Sequence, residues 1–186
     1  MPRQLFSTLP VLLALAACAA PMHEAGPRHG LTAARLAAVR VNPAEAIADL
    51  NAYRASKGLK PVRLDPALAA MAAGQAKAMA SANALSHDAA GSFHSRLAAS
   101  GIEGTEAGEN LGGGYLSLGE AMTGWRESSE HNANLLIASA SRFGIAIAKN
   151  PNTQYGIYWA MEIAGEPRTT AAGPSGFLWG APIGMR

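Results

Sequence analysis

The sequence predicts an α+β fold in which helices come first and a β-hairpin comes last. Apolar residues recur at helical spacing over the earlier part of the chain, and they alternate on both sides of a turn near its end. A chain of 186 residues is long enough for one domain with its own hydrophobic core. Its apolar fraction of 49% and charged fraction of 15% exclude a disordered chain.

Four helices are predicted by capping residues that precede helical spacing. Asn42 and Asp65 each stand before a proline, which is favoured at the first helical position. Ser117, with Glu120 three residues later, has the pattern of a capping box. The predicted helices cover residues 43 to about 58, 66 to about 83, 92–99 and 117–125.

The β-hairpin is predicted where alternation replaces helical spacing. Residues 143–148 and 155–163 alternate in the manner of strands, and residues 150–154 form the turn between them. The glycine-rich stretch 104–114 is interpreted as a loop. The tail 165–186, rich in glycine and proline, is expected to be irregular, and its Phe177 and Trp179 could pack back onto the domain.

The N-terminus has the pattern of an export signal. In residues 1–17, Arg3 supplies a positive charge, and the apolar run Leu9–Leu15 is too short for a membrane-spanning helix of roughly 20 residues. Cys18 is the only cysteine of the chain, so no intramolecular disulfide can form. Leu15-Ala16-Ala17-Cys18 resembles the bacterial lipobox, whose cysteine is acylated, for example with palmitate, and becomes the new N-terminus. An ordinary secretory signal is the alternative.

A lipid at Cys18 would place the protein on a membrane of the cell envelope. Each buried CH₂ of an acyl chain adds about 0.8 kcal/mol, so several chains hold a protein firmly. Ala19 after the cysteine resembles outer-membrane sorting in a Gram-negative cell. Residues 18–42 are expected to be a tether, with one or two helical turns near residues 31–40. The net charge of +2 and the absence of a basic stripe predict no nucleic-acid partner.

Six motifs follow one another along the predicted domain, residues 43–164. They are LNAYRASKGLKPVRLDPALAAMA, LSH, AGENL, GWRESSEHNANLL, RFGIAIAKN and YGIYWAMEIA. In this order they resemble the bacterial branch of the CAP superfamily, which also contains cysteine-rich secretory proteins, antigen-five proteins and plant pathogenesis-related proteins. The resemblance implies an α-β-α sandwich with a small antiparallel sheet between helical layers. It also implies a cleft that holds two histidines and two acidic residues.

The resemblance assigns the cleft residues one by one. His87 of LSH matches the first histidine, Glu109 matches the glutamate of GEN, and His131 matches the second histidine. The match does not settle the second acidic position, which lies shortly after the tryptophan in eukaryotic members. Glu127 is the first candidate for it and Glu130 the second.

This residue set supports two kinds of site. The imidazoles of His87 and His131 and the carboxylate of Glu109 can together hold Zn²⁺ or another divalent ion, with an open position for water. Without metal, a carboxylate can hydrogen-bond an imidazole and fix its tautomer. The sequence does not choose between the two.

Three functions fit these observations. A binding module for a small amphiphilic ligand (a lipid, a peptide or a wall component) is favoured, because the resembled superfamily includes sterol and fatty-acid binders. A hydrolase would use His87 or His131 as general base, or a metal-activated water. However, no G-x-S-x-G or H-E-x-x-H motif occurs, and Ser86 is poorly placed as nucleophile because neighbouring residues rarely face each other. The third function is a structural or interaction protein of the envelope.

Overall fold

A computed structural model describes residues 32–167 of the protein. The predicted signal peptide, Cys18, most of the tether and the tail beyond residue 167 lie outside the described residues. No helix in the described range is long and apolar enough to cross a membrane. The elements are α1 (Ala33–Ala38), α2 (Pro43–Ser56), β1 (Arg63–Leu64), α3 (Pro66–Ala82), α4 (Phe93–Ala99), β2 (Ala107–Gly113), α5 (Leu118–Glu127), α6 (Ser129–Leu135), β3 (Arg142–Lys149) and β4 (Ile157–Ala164).

The predicted helix starts and the predicted hairpin are confirmed. Asn42, Asp65 and Ser117 each accept a hydrogen bond from a backbone N–H in the first turn of their helix, at 3.0–3.1 Å. These bonds satisfy donors that a helix otherwise leaves unpaired. The predicted hairpin forms as β3 and β4, which pair antiparallel along their whole length. Helix α6 was not predicted, because its seven residues are too few for a clear helical pattern.

The four strands form one sheet in the order β1-β3-β4-β2, and helices cover both faces. β4 pairs antiparallel with β3 and with β2, and β1 adds a short parallel edge beside β3. Alternate side chains of β4 enter two different helical layers. The predicted α-β-α sandwich is therefore confirmed. Ile157, Trp159, Met161 and Ile163 pack with α2, α5 and α6, whereas Tyr158, Ala160 and Ala164 pack with α3 and α4.

The interpretation of residues 104–114 as a loop is wrong, because most of this stretch is the buried strand β2. A Cβ atom added at Gly108 would lie 2.6 Å from the Asn134 side chain, and one added at Gly112 would lie 2.7 Å from Tyr115. These glycines let neighbouring side chains approach the strand closely. Glycine usually weakens a strand, so the local composition predicted a loop. The segment is a strand because neighbouring side chains pack closely against its glycines.

The folded domain begins before residue 43, inside the segment expected to be a tether. Leu36 of α1 is buried in the same core as α2 and α5. Its side chain covers Gly156, where an added Cβ atom would lie 3.0 Å away. Lys149 of β3 donates to the carbonyls of Ala37 and Val39, which fastens the end of α1 to the sheet. Residues 33–39 are thus part of the packed structure.

Arg54, near the end of α2, is fully buried and joins α2 to the segment that follows α6. Its guanidinium donates to the carbonyls of Leu135 (2.8 Å), Ile137 (3.0 Å) and Ala140 (3.3 Å). Its Nε donates to the carbonyl of Lys60 at 3.0 Å. Carbonyls at the C-terminal end of a helix carry partial negative charge, so they offset part of the cost of burying this cation.

We expect Arg54→Met to lower the free energy of unfolding by about 3 kcal/mol or more, because three buried carbonyls and the partly buried carbonyl of Lys60 lose their donor at once. Urea denaturation of the two proteins measures the difference. The matched control is Arg63→Met, which removes an exposed arginine and should change stability by about 1 kcal/mol or less. Equal losses in the two variants would contradict the assigned role of Arg54.

Candidate functional site

His87 lies in the loop between α3 and α4, and both helices hold this loop in place. Gln75 of α3 donates to the carbonyl of Ser86 at 2.6 Å and accepts from the N–H of Ala90 at 3.1 Å. Arg96 of α4 donates from Nη2 to the carbonyl of His87 at 2.9 Å. The position of the histidine backbone is therefore set by two side chains from the flanking helices.

His87 and Glu109 form a hydrogen-bonded pair at the surface of the domain. Nδ1 of His87 lies 2.6 Å from Oε1 of Glu109. The imidazole is 46% exposed, whereas the carboxylate is 2% exposed. A carboxylate at Nδ1 favours the tautomer that carries its proton there. Nε2 of His87 has no hydrogen bond within residues 32–167, so it is available to a ligand.

Arg96 binds Glu109 and a second buried carboxylate, Glu162. Its Nη1 lies 2.8 Å from Oε2 of Glu109 and 3.4 Å from Oε1 of Glu162. Its Nη2 donates to Oε1 of Glu109 at 3.0 Å. Glu109 and Glu162 stand directly opposite each other in the β2–β4 ladder. One guanidinium thus contacts two carboxylates, both of which are closed off from solvent.

The two carboxylates differ in the direction of their pKa changes. Burial raises the pKa of Glu162 well above its ordinary value, and the negative charge of Glu109 adds to this effect. Burial also acts to raise the pKa of Glu109, but hydrogen bonds from His87 and Arg96 outweigh it and leave that pKa below its ordinary value. Glu109 is therefore the ionised partner of Arg96. The raised pKa of Glu162 favours its protonated form, which can donate a hydrogen bond to Glu109.

His131 and Glu127 lie in the opposite helical layer. Asn110, next to Glu109 in β2, points to that layer, and its Nδ2 donates to the carbonyl of His131 at 2.9 Å. His131 is buried on α6, with Nδ1 3.0 Å from Oγ of Ser128. Glu127 is exposed at the end of α5. The structure brings His87 and Glu109 together and carries the other two predicted residues on helices of the far layer.

The residues present do not fit a metal ion. Within residues 32–167, no three or more His, Cys, Asp and Glu side chains gather in an arrangement that could hold one. The predicted ligands His87, Glu109 and His131 therefore do not form such a group. At Glu109, moreover, the partner of the carboxylate is already a cation, the guanidinium of Arg96.

A groove of about 340 Å³ lies between α3 and α4, beside the loop that carries His87. Its volume falls in the range of small-molecule sites. The polar side chains that line it are already engaged, because Gln75 and Arg96 hold the loop and the hydroxyl of Ser100 donates to the carbonyl of Arg96. The surface offered to a ligand is mainly apolar. The lining residues are Ala70, Met71, Gly74, Gln75, Ala90, Arg96, Ala99 and Ser100.

The sequence interpretation did not include Arg96 and Glu162 in the site. A signal for Glu162 was present, since it is an acidic residue within an otherwise apolar alternating strand. Its place opposite Glu109 depends on strand register, which the sequence does not display. Arg96 stands in a short helix whose pattern is typical of a solvated surface. No local feature distinguishes it from other arginines.

The chain belongs to the cysteine-rich secretory protein (CAP) family, whose family model matches residues 47–163, more than half of the chain. The uncharacterized protein YkwD of Bacillus subtilis (strain 168) is 27% identical over 118 residues. The aligned part covers 62% of this chain and 44% of that protein. The chain thus spans less than half the length of this relative.

Solved structures share the fold. An extracellular SCP-domain protein of Bacillus anthracis str. Ames superposes with a TM-score of 0.57 at 24% identity, over 66% of this chain and 40% of that one. A cysteine-rich secretory protein of Staphylococcus aureus gives 0.56 at 20%, over 69% and 40%. An outer surface protein of Borrelia burgdorferi gives 0.59 at 16%, over 68% and 96%. At these identities the likeness shows the α-β-α architecture.

We expect Glu162→Gln to change how stability depends on pH. A buried acid with a raised pKa binds a proton in the folded state that it loses in the unfolded state, so wild-type stability falls as pH rises from the ordinary value of 4.5 to the folded pKa. The slope of this loss is up to about 1.4 kcal/mol per pH unit. Glutamine carries no proton to lose. Urea denaturation between pH 5 and pH 8 should therefore show the stability of the variant increasing relative to that of wild type as pH rises. A difference in stability that does not change with pH would contradict the raised pKa of Glu162.

Proposed function

We propose that this protein is an envelope-anchored CAP-domain lipoprotein that binds a small amphiphilic ligand, such as a lipid, beside His87. One observation carries the proposal: Gln75 and Arg96, which line an apolar groove of small-molecule size, also bind the loop that presents the half-exposed imidazole of His87. Concave apolar surfaces with a few placed polar groups are typical of ligand sites. No metal takes part in the proposed binding.

The groove and the histidine would bind different parts of the ligand. The side chains of Ala70, Met71 and Ala99 offer contact to an acyl or other apolar group. Burying apolar surface contributes about 25 cal/mol per Å². The imidazole of His87, fixed by Glu109, would hydrogen-bond a polar group at the edge of the groove. Apolar contact would then supply most of the affinity, and the imidazole would set the orientation.

A hydrolase is the second candidate, and the His87–Glu109 geometry is the observation that favours it. A carboxylate that orients an imidazole through Nδ1 leaves Nε2 to act as a general base. Ser86 does not suit the role of nucleophile, because its Oγ accepts the N–H of Asp88 at 3.2 Å within the loop. A water molecule would have to be the nucleophile. Binding therefore remains the favoured function.

Export and anchoring rest on the N-terminal sequence. Leu15-Ala16-Ala17-Cys18 has the lipobox pattern, and residues 19–32 lie between Cys18 and the start of α1. The intervening residues would give the domain reach from the membrane. Two structural relatives are described as an extracellular protein and an outer surface protein, which agrees with an exported protein. In a Gram-negative cell, Ala19 would direct the lipoprotein to the outer membrane.

We expect Ala70→Leu to weaken binding of cis-parinaric acid, a fluorescent fatty acid, by at least about tenfold, since the larger side chain fills the groove. Fluorescence titration of the purified protein measures the affinity. Ala73→Leu is the matched control, because Ala73 is exposed on the same helix and does not line the groove. It should bind as wild type does.

Two outcomes would contradict the binding proposal. In the first, wild type fails to bind the probe, or both leucine variants bind it equally. In the second, mass spectrometry finds ester or peptide ligands cleaved by wild type and intact after incubation with His87→Ala. That second result would favour the hydrolase.

We expect Cys18→Ser to abolish lipidation and release the protein from the membrane fraction, because serine offers no thiol to acylate. Labelling of cells with a palmitate analogue, followed by fractionation, measures both effects. Ala20→Ser, two residues beyond the cysteine, leaves the lipobox intact and should remain labelled and membrane-bound. An unlabelled wild type, or a labelled Cys18→Ser variant, would exclude Cys18 as the anchor.

A further inference from the structure

We propose that Arg96 is the resident cation of the His87 site, and that its guanidinium organises Glu109, Glu162 and the His87 loop in the place a divalent metal ion would take. Arg96 is then a positioning residue, and the site is assembled without metal. This inference concerns how the site is built. It holds whether or not the neighbouring groove binds a ligand.

The sheet itself creates the need for a cation. Glu109 and Glu162 are direct cross-strand neighbours on one face, and both are buried. Like charges at this spacing destabilise a sheet, and removal from water strengthens their repulsion. Oε2 of Glu162 has no hydrogen-bond partner within the described residues, and Oε2 of Glu109 has an ion-pair contact with Arg96 but no aligned hydrogen bond. A proton shared between the groups would satisfy these oxygens and leave one negative charge, which a single cation can balance.

Arg96 meets this need with every nitrogen of its guanidinium. Nε donates to the carbonyl of Gly91 at 3.0 Å, and Nη2 donates to the carbonyl of His87 and to Glu109. Nη1 contacts both Glu109 and Glu162. The planar fork of arginine suits such multiple contacts, whereas a lysine is a point charge. The same group therefore neutralises the acids and shapes the loop.

A divalent ion would have to compete with these contacts. Zinc lies about 2.0–2.2 Å from a carboxylate oxygen, and both oxygens of Glu109 are already within 3.0 Å of Arg96 nitrogens. A bound ion would stand next to the guanidinium and be repelled by it. His87 would also have to give up its bond to Glu109 if Nδ1 were to coordinate the metal. With Arg96 in place, the Glu109 oxygens that could coordinate a metal ion are already engaged, and the guanidinium repels the ion.

Zinc binding tests the proposal directly. The full chain is purified without chelators, titrated with zinc chloride by calorimetry, and melted with and without equimolar zinc. We expect wild type to show no one-to-one binding at micromolar concentration and no change in melting temperature. Arg96→Gln should melt at a lower temperature than wild type. Because Glu109 and Glu162 lose their cation and can then rearrange with His87 around an ion, zinc should raise the melting temperature of this variant by several degrees. Adding His87→Ala to this variant should remove the zinc effect.

Arg96→Lys is the matched control, since it keeps the positive charge and should remain insensitive to zinc. Stoichiometric zinc on wild type that is lost in His87→Ala would overturn the proposal. So would a folded Arg96→Gln variant that gains no zinc response, because Arg96 would then not stand where a metal can bind. Even if Arg96→Gln does not fold, the wild-type titration shows whether this site binds zinc.

Discussion

The pairing of β2 with β4 sets Glu109 beside Glu162, and the construction of the site follows from this juxtaposition. Two carboxylates that are closed off from water need a proton, a cation or both. Arg96 approaches them from α4 and, in doing so, also binds the backbone of the loop that carries His87. Arg96 therefore both balances the charge of the buried carboxylates and positions the loop that carries the exposed imidazole.

The GEN and NANLL motifs serve the fold as well as the site. Asn134 of α6 donates to the carbonyl of Glu109 at 3.0 Å and to Oδ1 of Asn110 at 2.9 Å. Asn110 in turn binds the carbonyl of His131. These bonds fasten α6 to the edge strand β2, while the Glu109 side chain leaves the strand on the other face. Residues of the same motifs thus have different roles: Asn110 and Asn134 hold α6 against β2, whereas Glu109 belongs to the His87 site.

The site has a gradient from buried charge to exposed imidazole. Glu162 and Arg96 form the buried end, Glu109 connects them to the surface, and His87 presents Nε2 to solvent. The groove beside it has few polar atoms that are not already bonded. Such a surface can gain affinity from apolar contact and direction from one nitrogen.

The sequence by itself determined the helix caps, the hairpin and, through family resemblance, the sandwich and the choice of His87 and Glu109 as candidate site residues. These features follow from local patterns or from motifs that can be aligned. Only the tertiary structure decided that the glycine-rich stretch is a strand, that α6 carries His131 in the opposite layer, and that Arg96 and Glu162 complete the site. The reason is that strand register and helix docking bring together residues far apart in the chain, and no local periodicity records those contacts.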